Sequence, residues 1–345
     1  MFDHEAPVLG GMKARDRRRP PQRGACRLAQ RWITALFFLA GFANAADSDR
    51  VLSAIAVSPH VYYFQGDVGM AAASNQGFMS NAGFVVTPDG VVVFDSLGTP
   101  ALGRSMIAAI RRVTQAPMKR VIVSHYHADH IYGLQSFKEI GAETWAHQNG
   151  GAYLRSDVAT ARLAERRASL FPWVDEKTMV VGADRWLDFS KQEVSRFTLG
   201  GVRFQLIDVH GAHSDEDIMM FVENDSVLFA GDLFFTGRIP FVGNANSRVW
   251  LAALDHMLEV KPATVIPGHG AKSTDPAKDL QLTKTYLTYL RKVMGSAVDE
   301  MTGFEDAYAK ADWSAFAGYP AFDQANRLNA YGTYILMEQE SLEKK

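Results

Sequence analysis

The pattern of apolar and polar positions predicts strands and helices in two successive halves. Residues 61–65 read as a short strand. Residues 83–87 and 91–95 are apolar runs on either side of Pro88-Asp89-Gly90, and they predict a β-hairpin. Leu102, Met106, Ile110 and Val113 recur at helical spacing and predict a helix over about 101–114. A short strand is expected at 121–123. Leu134, Phe137 and Ile140 then mark a helix stopped by Gly141. Residues 144–146 read as a strand and 150–175 as helical. Four strands follow in series at 194–199, 202–209, 217–223 and 226–230. A helix at about 247–259 and a strand at 264–266 complete this unit. The rest is helical. Asp275-Pro276 supplies a cap and a first-turn proline. Leu280, Leu287, Leu290 and Met294 form one apolar stripe, and Leu328, Tyr331 and Ile335 are expected to form another. Strands before helices, twice over, predict an α/β fold of two packed sheets with helices outside. The expected division is 1–45, 46–272 and a helical extension at 273–345.

Charge separates the first of these segments from the rest. Residues 1–45 hold one lysine and seven arginines against three acids, a net of +5. The remaining 300 residues hold 28 basic and 35 acidic side chains, a net of −7. Such a body is a poor partner for nucleic acid. Arg31, the apolar run 32–42 and the Ala43-Asn44-Ala45 site are the parts of a secretory signal peptide. We expect cleavage after Ala45 and a periplasmic or secreted product. The run falls short of the ~20 residues a bilayer span needs, so no stable membrane span should remain after cleavage. Residues 1–30 form an unusual extension, and Met12 is an alternative start. The sole cysteine, Cys26, lies in this leader. A disulfide scaffold, an iron–sulfur cluster and a cysteine nucleophile are thereby excluded from the body.

Candidate chemistry is concentrated after the strand at 121–123, in Ser124-His125-Tyr126-His127-Ala128-Asp129-His130. His125 and His127 are two apart, so an extended loop points both the same way. Asp129 and His130 turn into the next helix. Four ligands in six residues are more than one tetrahedral ion readily uses, so two adjacent ions are expected. His213, Asp232 and His269 each closely follow a predicted strand, where sheets gather functional residues. Imidazole and carboxylate ligands suit borderline-soft ions, Zn²⁺ first. His60, His147 and His256 read as structural or solvated, and His210 as at most a support behind the ligands.

These motifs, with His210-Gly-Ala-His213, Gly231-Asp232 and Pro267-Gly-His-Gly270, resemble those of the metallo-β-lactamase superfamily over about 60–270. The resemblance implies a four-layer αβ/βα sandwich with two metals at one edge between the sheets. It implies that His125, His127 and His213 hold one metal, that Asp129, His130 and His269 hold the other, and that Asp232 bridges them. Asn81 and Asp95 match family positions as supports. The segment Gly231 to Gly243 looks most like exported SoxH-type hydrolases.

The expected function is an exported binuclear zinc hydrolase acting on a small molecule. Two ions sharing a water lower its pKa toward ~7, and the resulting hydroxide cleaves an ester, lactone, thioester or related amide. Asp129 is the candidate catalytic residue that orients this water or carries its proton. Tyr126, Phe78, Met79, Phe171 and Trp173 are candidates for an apolar lid or for core packing. Arg238 and Asn244 are candidates for an anionic or amide group of the substrate, or for solvated loop positions.

Three alternatives stand beside it, the last two from other classes. The first is a β-lactamase, although the main subclasses of that group carry cysteine, or serine with no metal role, where Asp232 stands. The second is a persulfide dioxygenase with a single iron held by His125, His213 and Asp232. The third is a non-catalytic accessory protein of a periplasmic oxidation pathway.

Overall fold

The computed structural model describes residues 49–343, so the expected leader lies outside the described residues. The first sheet runs in chain order as β1 (Ile55–Ala56), β2 (Val61–Phe64), β3 (Ala82–Thr87), β4 (Gly90–Phe94), β5 (Met118–Ile122), β6 (Glu143–His147) and β7 (Arg185–Leu187). The second comprises β8 (Val194–Leu199), β9 (Val202–Asp208), β10 (Ile218–Val222), β11 (Val227–Phe235) and β12 (Thr264–His269), also in sequential order. The hairpin β3–β4 pairs Val86 with Val91 and Gly83 with Phe94 across the turn.

Alternation along the strands builds two cores at once. Val92 and Phe94 of β4 enter the cluster between the sheets, with Ile122, Phe204, Met220 and Phe229. Val91 and Val93 point the other way, into a cluster with Leu102, Met106 and Ile110. Those three belong to α1 (Pro100–Val113), whose first turn is capped by Thr99. All are fully buried, each contributing roughly 1.5–3 kcal/mol. A third cluster covers the outer face of the second sheet, so the order is helix, sheet, sheet, helix.

Strand direction fixes the working edge. In the first sheet β4, β5, β6 and β7 pair in parallel. In the second, β9 and β11 both run antiparallel to β10, and β12 runs parallel to β11. The carboxyl ends of β9, β11 and β12 therefore share one edge, from which His213, Asp232 and His269 are presented.

Several elements differ from the sequence expectation. The helical stretch at 150–175 is two helices, α4 (Gly150–Leu154) and α5 (Asp157–Ser169), followed by a loop. Asp232 and His269 lie inside longer strands rather than after short ones. The last helix, α10 (Phe322–Glu343), turns Leu328 and Tyr331 outward. Its buried face is instead Ala325, Asn326, Asn329, Ala330, Thr333 and Glu340. Except for Thr333, those polar groups find partners in the long helix at Gln281–Asp299: Tyr286 Oη donates to Asn326 Oδ1 at 2.8 Å, Asn329 Nδ2 donates to Tyr286 Oη at 3.0 Å, and Arg291 forks onto Glu340 at 2.7 and 3.1 Å. Among the described residues, no helix is long and apolar enough to cross a membrane.

Candidate metal centre

The chain leaves β5 at Ile122 and passes through an extended turn before Ala128–Ile131 forms a single helical turn. His125 and His127 come from the extended part, Asp129 and His130 from the turn. At β11, Gly231 takes a positive φ of 54° at a register shift against β12, which aims Asp232 inward. Gly268 is required by the same approach, because a Cβ there would fall on Asp232 Oδ1.

The structure brings all seven candidate ligands together in two groups. In the first, His127 Nδ1 lies 3.0 Å from His125 Nε2 and 3.0 Å from His213 Nε2. In the second, His269 Nε2 and His130 Nε2 lie 3.3 and 3.6 Å from Asp129 Oδ2. Asp232 stands between them. Its Oδ2 is 3.5 Å from His213 Nε2 and 3.9 Å from His125 Nε2, while its Oδ1 is 3.1 Å from His130 Nε2 and 3.3 Å from His269 Nε2.

Hydrogen bonds on the far side of the rings fix which nitrogen faces inward. Ser124 Oγ donates to Asp95 Oδ2 at 2.8 Å and so accepts from His125 Nδ1–H at 2.9 Å. His130 Nδ1–H donates to the same Asp95 oxygen at 2.8 Å. His269 Nδ1–H donates to the Met79 carbonyl at 2.8 Å. In the neutral ring the inward Nε2 then carries the lone pair, the state a metal ligand needs. Three inward atoms, His130 Nε2, His269 Nε2 and Asp232 Oδ1, are buried with no hydrogen-bond partner. Buried polar atoms without partners are rare and costly, and a cation is the group that would satisfy these together. The donor set thus fits two borderline-soft ions.

Electrostatics divide the ligands: burial would lower His130 and His269, but the carboxylates of Asp232 and Asp129 outweigh it and raise both, a charge that a bound cation would replace. Burial holds His125 well below the ordinary histidine range, and His130 and His127 lower it further. Burial likewise brings His213 to about 3, against the pull of Asp232. Both rings are neutral at pH 7 and open to a cation. Burial would raise Asp129, but His130 and His269 win and keep its carboxylate ionised.

Other expected residues fall into distinct roles. Asp95 and Asn81 act as supports: Asn81 Nδ2 donates to Pro267 and Gly270 carbonyls at 2.8 Å each, holding the His269 turn. Arg238 is fully buried beside His269 and over the Phe241 ring, with Nε and Nη2 unpartnered. Burial lowers its pKa, opposed by the nearby carboxylates of Asp232 and Asp129. Asn244 is exposed. Tyr126, Phe78 and Met79 are buried in the core, and Phe171 is exposed.

His147, Asp208 and His210 form a further cluster. The Asn149 amide donates to His147 Nδ1 at 3.1 Å, so the ring proton sits on Nε2, facing Asp208 at 3.5 Å. His210 Nδ1 lies 2.8 Å from Asp208 Oδ2, so the three side chains are tied to one another and to the Asn149 backbone. Two residues that the sequence reading passed over also matter. Ser124 relays His125 to Asp95. Glu216 accepts the Tyr126 amide at 3.1 Å from inside the core. Neither belongs to a ligand pattern that spacing reveals.

Residues 75–269 match the family described as the Metallo-beta-lactamase superfamily. Among curated relatives, a "Metallo-beta-lactamase type 2" of Bacillus sp. (strain 170) is 26% identical over 213 residues, 60% of this chain and 70% of that protein. A "Linear primary-alkylsulfatase" of Pseudomonas sp. (strain ATCC 19151) is 21% identical over 242 residues, 60% of this chain and 45% of that protein. The inverting sec-alkylsulfatase Pisa1 from Pseudomonas sp. superposes with a TM-score of 0.63 at 16% identity, over 82% of this chain and 50% of that one. The metallo-beta-lactamase FIM-1 from Pseudomonas aeruginosa gives 0.54 at 18% identity, over 71% and 98%. The chain therefore spans about half the length of the alkylsulfatases it resembles. At these identities the structural likeness shows the fold alone.

Proposed function

Because the chain belongs to the metallo-β-lactamase superfamily, whose members related to it are metal-dependent hydrolases, we propose that it is an exported hydrolase of small anionic esters, sulfate esters first, that holds two zinc ions. The observation that carries the two-ion reading is Asp232, with one oxygen toward each ligand group. The complete second group, Asp129, His130 and His269, supports two ions over a single iron.

When bound, the ions supply a Lewis-acid centre that acidifies water and polarises the scissile bond. The chain does the rest. Asp129 is ionised and, with 15% of its side chain exposed, reaches the mouth of the site, where it orients the attacking water and accepts its proton. Ser124, Asp95 and the Met79 carbonyl hold the imidazoles in one tautomer. Arg238 supports the anionic substrate class. A buried guanidinium with two unpartnered nitrogens is costly, and the negative group of a bound substrate is the partner that would relieve it. The likeness to alkylsulfatases agrees with this choice, and the Gly231–Gly243 likeness to exported SoxH-type hydrolases agrees with export. The 26% identity to a Bacillus metallo-beta-lactamase favours β-lactam hydrolysis as a second reading.

The test expresses residues 46–345, counts metals, and assays alkyl sulfates, carboxylic esters, lactones, thioesters and β-lactams side by side. Two zincs and sulfate-ester turnover are expected; one iron, or turnover confined to β-lactams, refutes the reading. Asp129→Asn, which removes both a ligand of the second group and the proposed base, should lose about 100-fold or more in kcat. Full turnover in that variant removes its role.

A further inference from the structure

The segment Arg238–Gly243 links β11 to the helix Ser247–Glu259 without regular structure, so its backbone groups need partners from elsewhere. The last helix provides them. Asn329, 1% exposed, accepts the Val242 amide at 2.8 Å and donates to the Pro240 carbonyl at 2.7 Å and to Tyr286 Oη at 3.0 Å. The Ile239 amide donates to the Pro320 carbonyl at 3.0 Å, just before the same helix. Gly332, one turn on, lies so close to the Gly243 carbonyl that a methyl group would collide with it.

On the reading that Arg238 receives the anionic group of the substrate, we propose that Asn329 is a positioning residue of that anion subsite, and that α10 is therefore part of the substrate site. The guanidinium and the Phe241 ring beneath it, 4.8 Å from Cζ to centroid, both ride on the backbone that Asn329 holds. The metal ligands take their hydrogen bonds from elsewhere, although Arg238 Nη1 approaches His269 Nδ1 to 3.4 Å. His269 is fixed through Met79 and Asn81, and His125 and His130 through Asp95. Loss of Asn329 should thus move the anion receptor and spare the metals.

The experiment uses the zinc-loaded full chain, with Asn329→Leu, Arg238→Met and the double variant. Zinc content, inorganic sulfate affinity by calorimetry, and KM and kcat for an alkyl sulfate and an uncharged carboxylic ester are measured. Asn329→Leu should weaken sulfate binding and raise KM for the alkyl sulfate by about tenfold each. It should keep two zincs and leave KM for the uncharged ester within about twofold. Arg238→Met should behave alike, and the double variant should be no worse than the worse single.

Equal losses on both esters, or loss of zinc, would reduce Asn329 to a purely structural role and overturn the proposal. Unchanged sulfate affinity in Asn329→Leu, against a loss in Arg238→Met, removes the positioning role but keeps the subsite. Unchanged affinity in Arg238→Met, or no sulfate binding by the parent, removes the subsite itself. Should Asn329→Leu fail to fold, Gly332→Ala presses on the same backbone and is read by the same criteria.

Discussion

Polar groups are buried in two regions of this molecule, and they are buried differently. Between α10 and its neighbouring helix, Asn326, Asn329, Tyr286, Arg291 and Glu340 find partners within the chain, and only Thr333 Oγ1 stands without one. At the sheet edge, His130 Nε2, His269 Nε2, Asp232 Oδ1 and two nitrogens of Arg238 are left without partners. The first arrangement is finished and serves as scaffold. The second is complete only when something else arrives. The missing partners, more than burial itself, set the sheet edge apart from the helix pair.

The contrast can be broken most strongly at Asp232. Asp232→Ala should drop zinc from two ions per chain to about one and cut turnover by about 1,000-fold, near 4 kcal/mol of barrier. Unchanged zinc content would end the bridging assignment.

Glu216 sharpens the contrast through pH. Burial raises it to about 7, against the Tyr126 amide that lowers it. Between its ordinary value and about 7 the folded chain holds a proton that the unfolded chain releases, so stability falls as pH rises through this window. The cost at pH 8 is on the order of 3 kcal/mol. In metal-free protein, Glu216→Gln should raise the denaturant midpoint at pH 8 and leave it unchanged at pH 4. An equal effect at both pH values would contradict the assignment.

In the finished region, Asn326→Ala strips partners from Tyr286 and Tyr308 and should cost about 1–3 kcal/mol by urea unfolding, with zinc content unchanged. Zinc loss there would erase the division between the two regions. Smallest of all, Leu328→Ser on the outer face of α10 should shift stability by less than about 0.5 kcal/mol.

The same division explains what the sequence disclosed. His125, His127, Asp129 and His130 sit within six residues, so the chain states their proximity itself. His213, Asp232 and His269 were legible because strand ends converge on one edge, although the bulge at Gly231 that aims Asp232 was not. The strand β7 stayed hidden because it is three residues long with Arg185 and Trp186 exposed. In the last helix apolar spacing does not mark the inner face. Leu328 and Tyr331 have that spacing, but close approach at Gly332 and the bonds of Asn329 decide which side packs. A polar inner face leaves no periodic signal.

Asp95 has a bearing on how such a site can change over time. One carboxylate fixes His130 directly and His125 through Ser124, and these two rings belong to different metal groups. A lineage drifting toward a one-metal enzyme could discard a ligand from either group, but it could not relax Asp95 without loosening both. The two ligand groups are tied together by inheritance at a position that belongs to neither.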